Sequence, residues 1–325
     1  MTQPIPRRAL ALLAAPALAQ GQAQGQAQAD YPSRPVRFIV PGPAGGAGDV
    51  LGRLVMERLG QKFGQPFTVE NRAGAGTNIG MTVVARAAPD GYVLGLASIA
   101  ANAVNRWLYR NLPFNPETDF SPISMIALVP NLMVVSPSVP ARTVAEFRAW
   151  ARTNPVAFGS VGAGSSQHLA GAQFAQAAGV EMVHVAYTTN GAMATDVMEG
   201  RVQVLFQSIS AVAELARAGR VRPLAVTGEA RAPAFPEVPT LREAGLDIIS
   251  TGWFGVCGPA GVPEPILDRL NAAVNEIVAA PDIQARIIAG GAVPKLTTRA
   301  EMAAFMAAES ARWRPVVAAT GLTVD

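Results

Sequence analysis

Apolar residues fall in two recurring patterns along this chain. Short, largely apolar runs occur at residues 36–40, 67–69, 92–96, 132–135, 156–159, 182–186, 202–206, 224–226 and 253–256, some interrupted by a single polar residue such as Arg37, Thr68, His184 or Gln203. Between most of them, apolar positions return every three or four residues. The first pattern fits strands buried on both faces, and the second fits helices with one apolar side. The run at 36–40 stops at Pro41-Gly42-Pro43, and Val50, Leu51, Leu54, Val55 and Leu59 then recur at helical spacing. Thr143 and Glu146 have the spacing of a capping box ahead of a helix through Trp150. Further helices are predicted over 167–178, 266–279, 283–289 and 299–319, and Met193, Val197 and Met198 suit the packed face of another. Such alternation predicts an α/β protein with a mainly parallel, helix-covered sheet.

The first thirty residues break this pattern. Arg7 and Arg8 precede an apolar stretch at 9–18, and Ala17-Leu18-Ala19 has the small-x-small form that signal peptidase accepts. Residues 1–19 therefore read as an export signal cleaved near Ala19, and the Gly, Gln and Ala tract at 20–29 as a flexible linker. The remaining length suits two domains of ordinary size. Of the 325 residues, 50% are hydrophobic and 15% charged, which supplies a core and excludes a disordered chain. No apolar run reaches the roughly 18 residues of a membrane span. One cysteine excludes an internal disulfide, and with two histidines it cannot complete a zinc site, so no metal is expected. The formal charge is +3. Removing Arg7 and Arg8 brings it near neutrality, which gives no electrostatic case for nucleic acid.

Candidate chemistry gathers in three glycine-rich loops, PGPAGGAGD at 41–49, GAGTN at 74–78 and GAGSSQH at 162–168. Loops after the strands of such a sheet bring backbone N–H groups and positive helix ends to an anion. Gly46, Gly48 and Gly52 are spaced G-x-G-x-x-x-G, one residue longer than the dinucleotide fingerprint, as are Gly74, Gly76 and Gly80. A Rossmann-type oxidoreductase, with Glu70 as the ribose-binding acid, is thus the runner-up. No loop continues as Gly-Lys-Ser/Thr, and Ser165 and Ser166 lack the G-x-S-x-G elbow of a nucleophile. No enzyme activity and no cofactor are expected. His168 suits either ligand contact or a backbone bond at the helix start, while His184 suits a satisfied structural histidine and Cys257 a small buried residue. Asp49 is expected to cap a helix starting at Val50, or else to hold the 41–46 loop in shape.

The segments YPSRPVRFIVPGPAGGAGD, VENRAGAGTNIG, APDGY, LYRNLPFNPETDFSPIS, GSVGAGSSQHLAG, HVAY, EVPTLREAG, WFGVCGPAGVPEPI and AAESARW together resemble the Bug family of extracytoplasmic solute receptors, the substrate-binding receptors of tripartite tricarboxylate transporters. The resemblance runs from Tyr31 to Asp325. It implies a periplasmic binding protein fold, two α/β domains joined by a hinge and closing like a Venus flytrap. Residues 30–130 and 252–325 would form one domain and 131–251 the other. It also implies a periplasmic monomer that hands a small carboxylate-containing solute to the membrane subunits of the transporter. A receptor reporting to a signalling partner is the alternative. Carried over motif by motif, the ligand site would use Pro43, Ala44, Gly45, Gly46, Thr77 and Asn78 from one domain. Ser165, Ser166, His168, Thr188, Thr189, Asn190 and Asp196 would come from the other. The chain departs from the family pattern at Thr188, where a lysine is usual, at Thr189 for glycine and at Ala192 for proline, which implies a less anionic ligand. Arg106 replaces a common proline and suits a solvated helix position better than a carboxylate contact.

Overall fold

The structure is a computed structural model and describes residues 31–320 and 323–324. The predicted export signal at 1–19 and linker at 20–29 lie outside the described residues. The chain begins with β1 (Val36–Val40), α1 (Ala47–Phe63), β2 (Phe67–Asn71), α2 (Asn78–Ala85) and β3 (Val93–Ser98). A π-helical turn at Ala100–Val104 leads into α3 (Asn105–Leu108) and then β4, a strand of 16 residues at Phe120–Val135. Next come α4 (Val144–Ala151), β5 (Ala157–Ser160), α5 (Ser166–Ala178), β6 (Val183–Ala186) and α6 (Asn190–Met198). They are followed by β7 (Val204–Ser208), α7 (Ile209–Arg217) and β8 (Arg222–Val226). The last elements are β9 (Thr251–Pro259), α8 (Glu264–Ala279), α9 (Pro281–Ala289), β10 (Val293–Pro294) and α10 (Arg299–Thr320). Thr143 caps α4, its Oγ1 accepting from Glu146 N at 3.1 Å, while the Glu146 carboxylate accepts from Arg142 N at 2.7 Å.

The sheet is mixed, not mainly parallel. β1 pairs in parallel with β2 and β3, and β5 with β6 and β7. β9 is antiparallel to β3 and β4, and β4 is antiparallel to β7, β8 and β10. A strand-helix-strand unit dictates parallel pairing only between its own two strands, and β4 and β9 enter after longer excursions, free to run the other way. The apolar pattern predicted only the last four residues of β4. Pro122 and Pro130 conceal the rest, because proline lacks a ladder N–H. Pro122 lies at a register shift against β9, and Pro130 ends the β9 pairing opposite Thr251. From Asn131 onward β4 pairs with β7, and from Leu132 with β8 as well.

Burial on both faces of the central strands explains most of the apolar runs. On one face of the first sheet Phe38 and Leu94 pack with Val55, Val256, Leu270 and Val274. On the other face, Ile39 packs with Met81, Val84, Met125, Trp253 and Trp313. The same alternation divides Met133 and Val135, packed with Phe147, Phe174 and Phe206, from Leu132 and Val134, packed with Met193 and Val197. Each such side chain contributes roughly 1.5–3 kcal/mol. An exposed ion pair such as Arg37–Glu70 adds at most about 1 kcal/mol, so the layered cores hold the fold.

One polar group is built into this core. Glu309 is 6% exposed and accepts from Trp313 Nε1 at 3.0 Å and from Trp253 Nε1 at 3.2 Å, with Arg312 beside it at 2.9 Å. The two indoles join α10 to β9 directly behind the loops described below. Replacing Glu309 with Leu is expected to lower the unfolding free energy by about 1–3 kcal/mol for each indole N–H left unpaired. Urea denaturation measures this, and an unchanged midpoint would show that the indoles find other partners.

Candidate functional site

Each loop at the site is held in shape by polar side chains that bond to its backbone or to the residues bracing it. In the 41–46 loop the side chain is Asp49. Its Oδ2 accepts from Gly45 N at 2.9 Å and its Oδ1 from Asn71 Nδ2 at 2.9 Å, with Arg53 Nε at 3.0 Å. Burial raises the Asp49 pKa, but the bonds from Arg53, the Gly45 N–H and Asn71 together hold it below the usual carboxylate range. The expectation of a cap on a helix starting at Val50 needs correction. The helix starts at Ala47, Gly46 occupies the capping position without a side-chain bond, and Asp49 reaches back from the first turn. The alternative role, holding the loop in shape, describes what its contacts do.

In the 74–78 loop the work falls to Asn105, which is fully buried. Its Nδ2 donates to Gly76 O at 2.7 Å and Asn78 Oδ1 at 2.6 Å. Ala75 and Thr77 are held at φ 45° and 86°, a left-handed conformation that costs non-glycine residues about 1–3 kcal/mol and concentrates at functional sites.

In the 162–168 loop Ser165 is the N-cap of α5, accepting from His168 N at 3.3 Å and donating to Gly162 O at 2.7 Å. Ser166 carries no such duty, and its hydroxyl lies over Gly252, where a Cβ would come within 2.9 Å of its Oγ. His168 turns the other way. Its Nδ1 accepts from Gly164 N at 3.3 Å, and its ring lies 4.4 Å from that of His184. Both imidazoles line a second cavity of about 540 Å³ behind the loop, with Phe158, Met182 and Val316. His184 Nε2 is 2.6 Å from Ser160 Oγ, which also accepts from Gly162 N at 3.1 Å. Burial, with the neighbouring His184, pushes His168 down to about 4.

After β6, Thr189 caps α6 by accepting from Ala192 N at 3.3 Å. Asp196 accepts from Tyr187 Oη at 2.6 Å and from Arg201 Nε at 2.7 Å, so it fixes the tyrosine. Burial, reinforced by Asp196, pushes the Tyr187 hydroxyl up to about 12. Arg106 pairs with Glu117 and covers Trp107.

These loops enclose a cavity of about 530 Å³. Of the residues expected at a ligand site, Pro43, Gly46, Thr77, Ser165, Ser166, Thr188 and Asn190 line it, as does Asp49. Ala44, Gly45, Asn78, His168, Thr189 and Asp196 do not, although Gly45, Asn78, Thr189 and Asp196 each bond within a loop that does. Ser98, Gln167, Gln207, Trp253 and Phe254 also line it and were not singled out by the sequence reading. Trp253 and Phe254 carried a signal in the WFGVCGP segment; Gln207 carried none. Among the described residues lining the cavity there is no Lys, Arg or His. The first turns of α1, α5 and α6 border the cavity instead, with N–H groups that precede any intrahelical acceptor, while Asp49 in the first turn of α1 adds a negative charge.

This arrangement can hold an anion without a fixed cation. The sequence model of the tripartite tricarboxylate transporter family receptor matches residues 51–322. The chain belongs to this family. It is 35% identical to Protein BugT of Bordetella pertussis over 295 residues, 90% of each chain. Rpa4515 of R. palustris, solved with adipate, is 35% identical with a TM-score of 0.86, covering 90% of this chain and 99% of that one. MatC of Rhodopseudomonas palustris, solved with malate, is 29% identical with a TM-score of 0.81, covering 88% and 100%. The fold is that of a two-domain α/β periplasmic binding protein, and members of the receptor family bind solutes.

The loop shaping has two measurable consequences. Ser165→Ala is expected to cost about 1 kcal/mol of stability through the lost cap, while Ser166→Ala stays within about 0.5 kcal/mol. Denaturant titration of the two variants separates them, and equal losses would contradict the cap. Unfolded His168 takes up a proton near 6.5 and the folded residue only near about 4. Its contribution is therefore complete above about 6.5 and is lost as pH falls from there toward 4, amounting to about 3 kcal/mol. Unfolding free energy measured across that range should fall in the wild type and fall less steeply in His168→Gln. Parallel slopes would assign the dependence to other groups.

Proposed function

We propose that this protein is a periplasmic receptor that captures a small carboxylate-containing solute in the 530 Å³ cavity and delivers it to a tripartite tricarboxylate-type membrane transporter. The observation carrying this reading is the convergence of three helix N-termini on a cavity whose described lining residues include no Lys, Arg or His. A carboxylate there accepts from backbone N–H groups and hydroxyls, which hold it through charge-assisted bonds yet release it readily. Membership in the receptor family and the adipate and malate bound by Rpa4515 and MatC support the same chemistry.

In this reading residues 30–130 with 252–325 form one domain and 131–251 the other, and the hinge passes where β4 changes partner between Pro130 and Asn131. The 41–46 and 74–78 loops then face the 162–168 and 187–190 loops across the cleft. A solute touched from both sides favours the closed state by its differential contacts. The reading includes export by the segment at 1–19, a monomer in the periplasm, and no catalysis.

Calorimetry with mono- and dicarboxylates tests it. At least one carboxylate should bind the wild type with a rise in melting temperature. Ser166→Ala should weaken that binding by about 1–3 kcal/mol, the cost of an unpaired desolvated group. Equal affinity in both proteins would move the site elsewhere.

A further inference from the structure

One wall of the cavity is a chain of side-chain amides whose direction is fixed. Gln207 is 3% exposed, and its Oε1 accepts from the backbone N–H of Ser208 at 2.8 Å. A backbone N–H only donates, so the orientation of the Gln207 amide is set. The same Oε1 accepts from Gln167 Nε2 at 3.0 Å. On the other side, Gln207 Nε2 donates to Asn190 Oδ1 at 3.3 Å and approaches Met193 Sδ at 3.7 Å. Each amide in turn fixes its neighbour. Gln167 is left with its carbonyl oxygen Oε1 to offer, and Asn190 with its amino group Nδ2. Both residues line the cavity, and among the described residues neither atom has a hydrogen-bond partner.

A wall that presents one acceptor and one donor is complementary to a neutral group that itself donates and accepts. A carboxamide or hydroxyl can satisfy either atom, since each both donates and accepts. A carboxylate has only acceptor oxygens, which would meet the Asn190 donor but set a negative oxygen against the Gln167 carbonyl. Among the described lining residues no Lys or Arg offsets that repulsion, and the one carboxylate, Asp49, is negative. Thr188 at the same wall adds a hydroxyl and no charge. Leu96, Ile99, Val129 and Phe254 leave apolar surface for the body of the solute.

Resting on the carboxylate-receptor reading, we infer that Gln167, Gln207 and Asn190 select the far end of the solute: the ligand is a monocarboxylate ending in an amide or hydroxyl group, and dicarboxylates are disfavoured.

Matched pairs test this: succinate against succinamate, glutarate against glutaramate, and adipate against adipamate, by thermal shift and calorimetry on the full mature protein. In every pair that binds, the amide acid should bind tighter by about tenfold or more, the consequence of leaving a desolvated partner unpaired or opposed. Gln167→Arg replaces the acceptor with a cation at a partly exposed position. It should reverse the order, so that the dicarboxylate of each pair becomes the tighter ligand. Equal or tighter binding of the dicarboxylate by the wild type overturns the inference and leaves the carboxylate-receptor reading intact. A preference that stays unchanged in Gln167→Arg removes the amide chain from the recognition and overturns it too. If no member of any pair binds, the carboxylate reading fails, and this inference with it.

Discussion

Backbone hydrogen bonds along one strand, β4, join the two halves of this molecule. Its residues 120–130 belong to the ladder with β9, and from Asn131 onward it belongs to the ladder with β7 and β8. The carboxyl ends of β1, β3, β5, β6 and β7 therefore open on a common space, since Val40, Ser98, Val161, Ala186 and Ser208 all line the cavity. Ligands of open parallel sheets settle at such ends, and here two sets of ends share a single cavity. Two prolines mark where β4 gives up regular pairing, and neither needs the N–H it lacks.

Among the described residues lining the cavity there is no positive side chain, and N–H groups of first helical turns border it. The N–H groups of first helical turns cannot be neutralised by rotation or proton loss, as a lysine can, and they require that the loops holding them stay in shape. The polar side chains around the cavity do this shaping. Asp49, Asn105, Ser165, Thr189 and Asp196 bond to their own loops or to the residues that brace them. The side chains left free to meet a solute are neutral: Ser166, Thr188, and the outer atoms of Gln167 and Asn190. Division between shaping and contacting groups explains why only part of the expected site lines the cavity.

His168 and Gln207 show where reading the sequence fails. At His168 the sequence offers a polar ring three residues after Ser165, equally able to face a ligand or the loop behind it. Packing on Phe158 and His184 decides for the loop. At Gln207 the sequence offers a glutamine at the end of an apolar run, with no motif around it. Its position depends on β7 lying between β4 and β5, a pairing between segments far apart in the chain.

Local physics thus settled much of this protein before any folding into three dimensions. Short apolar runs specified the strands, three-to-four-residue periodicity specified the helices, and glycine clusters marked the loops able to bring backbone N–H groups to an anion. These properties depend on neighbours within a few residues, so the sequence carries them directly. The two-domain arrangement was implied by the resemblance to the receptor family, not by local physics. Only the tertiary structure decided strand direction at the centre of the sheet, the exclusion of His168 from the cavity, the pairing of two tryptophans through Glu309, and the directed amide chain. Each of those depends on contacts between segments many residues apart, and no local pattern in the chain encodes which face a side chain will meet.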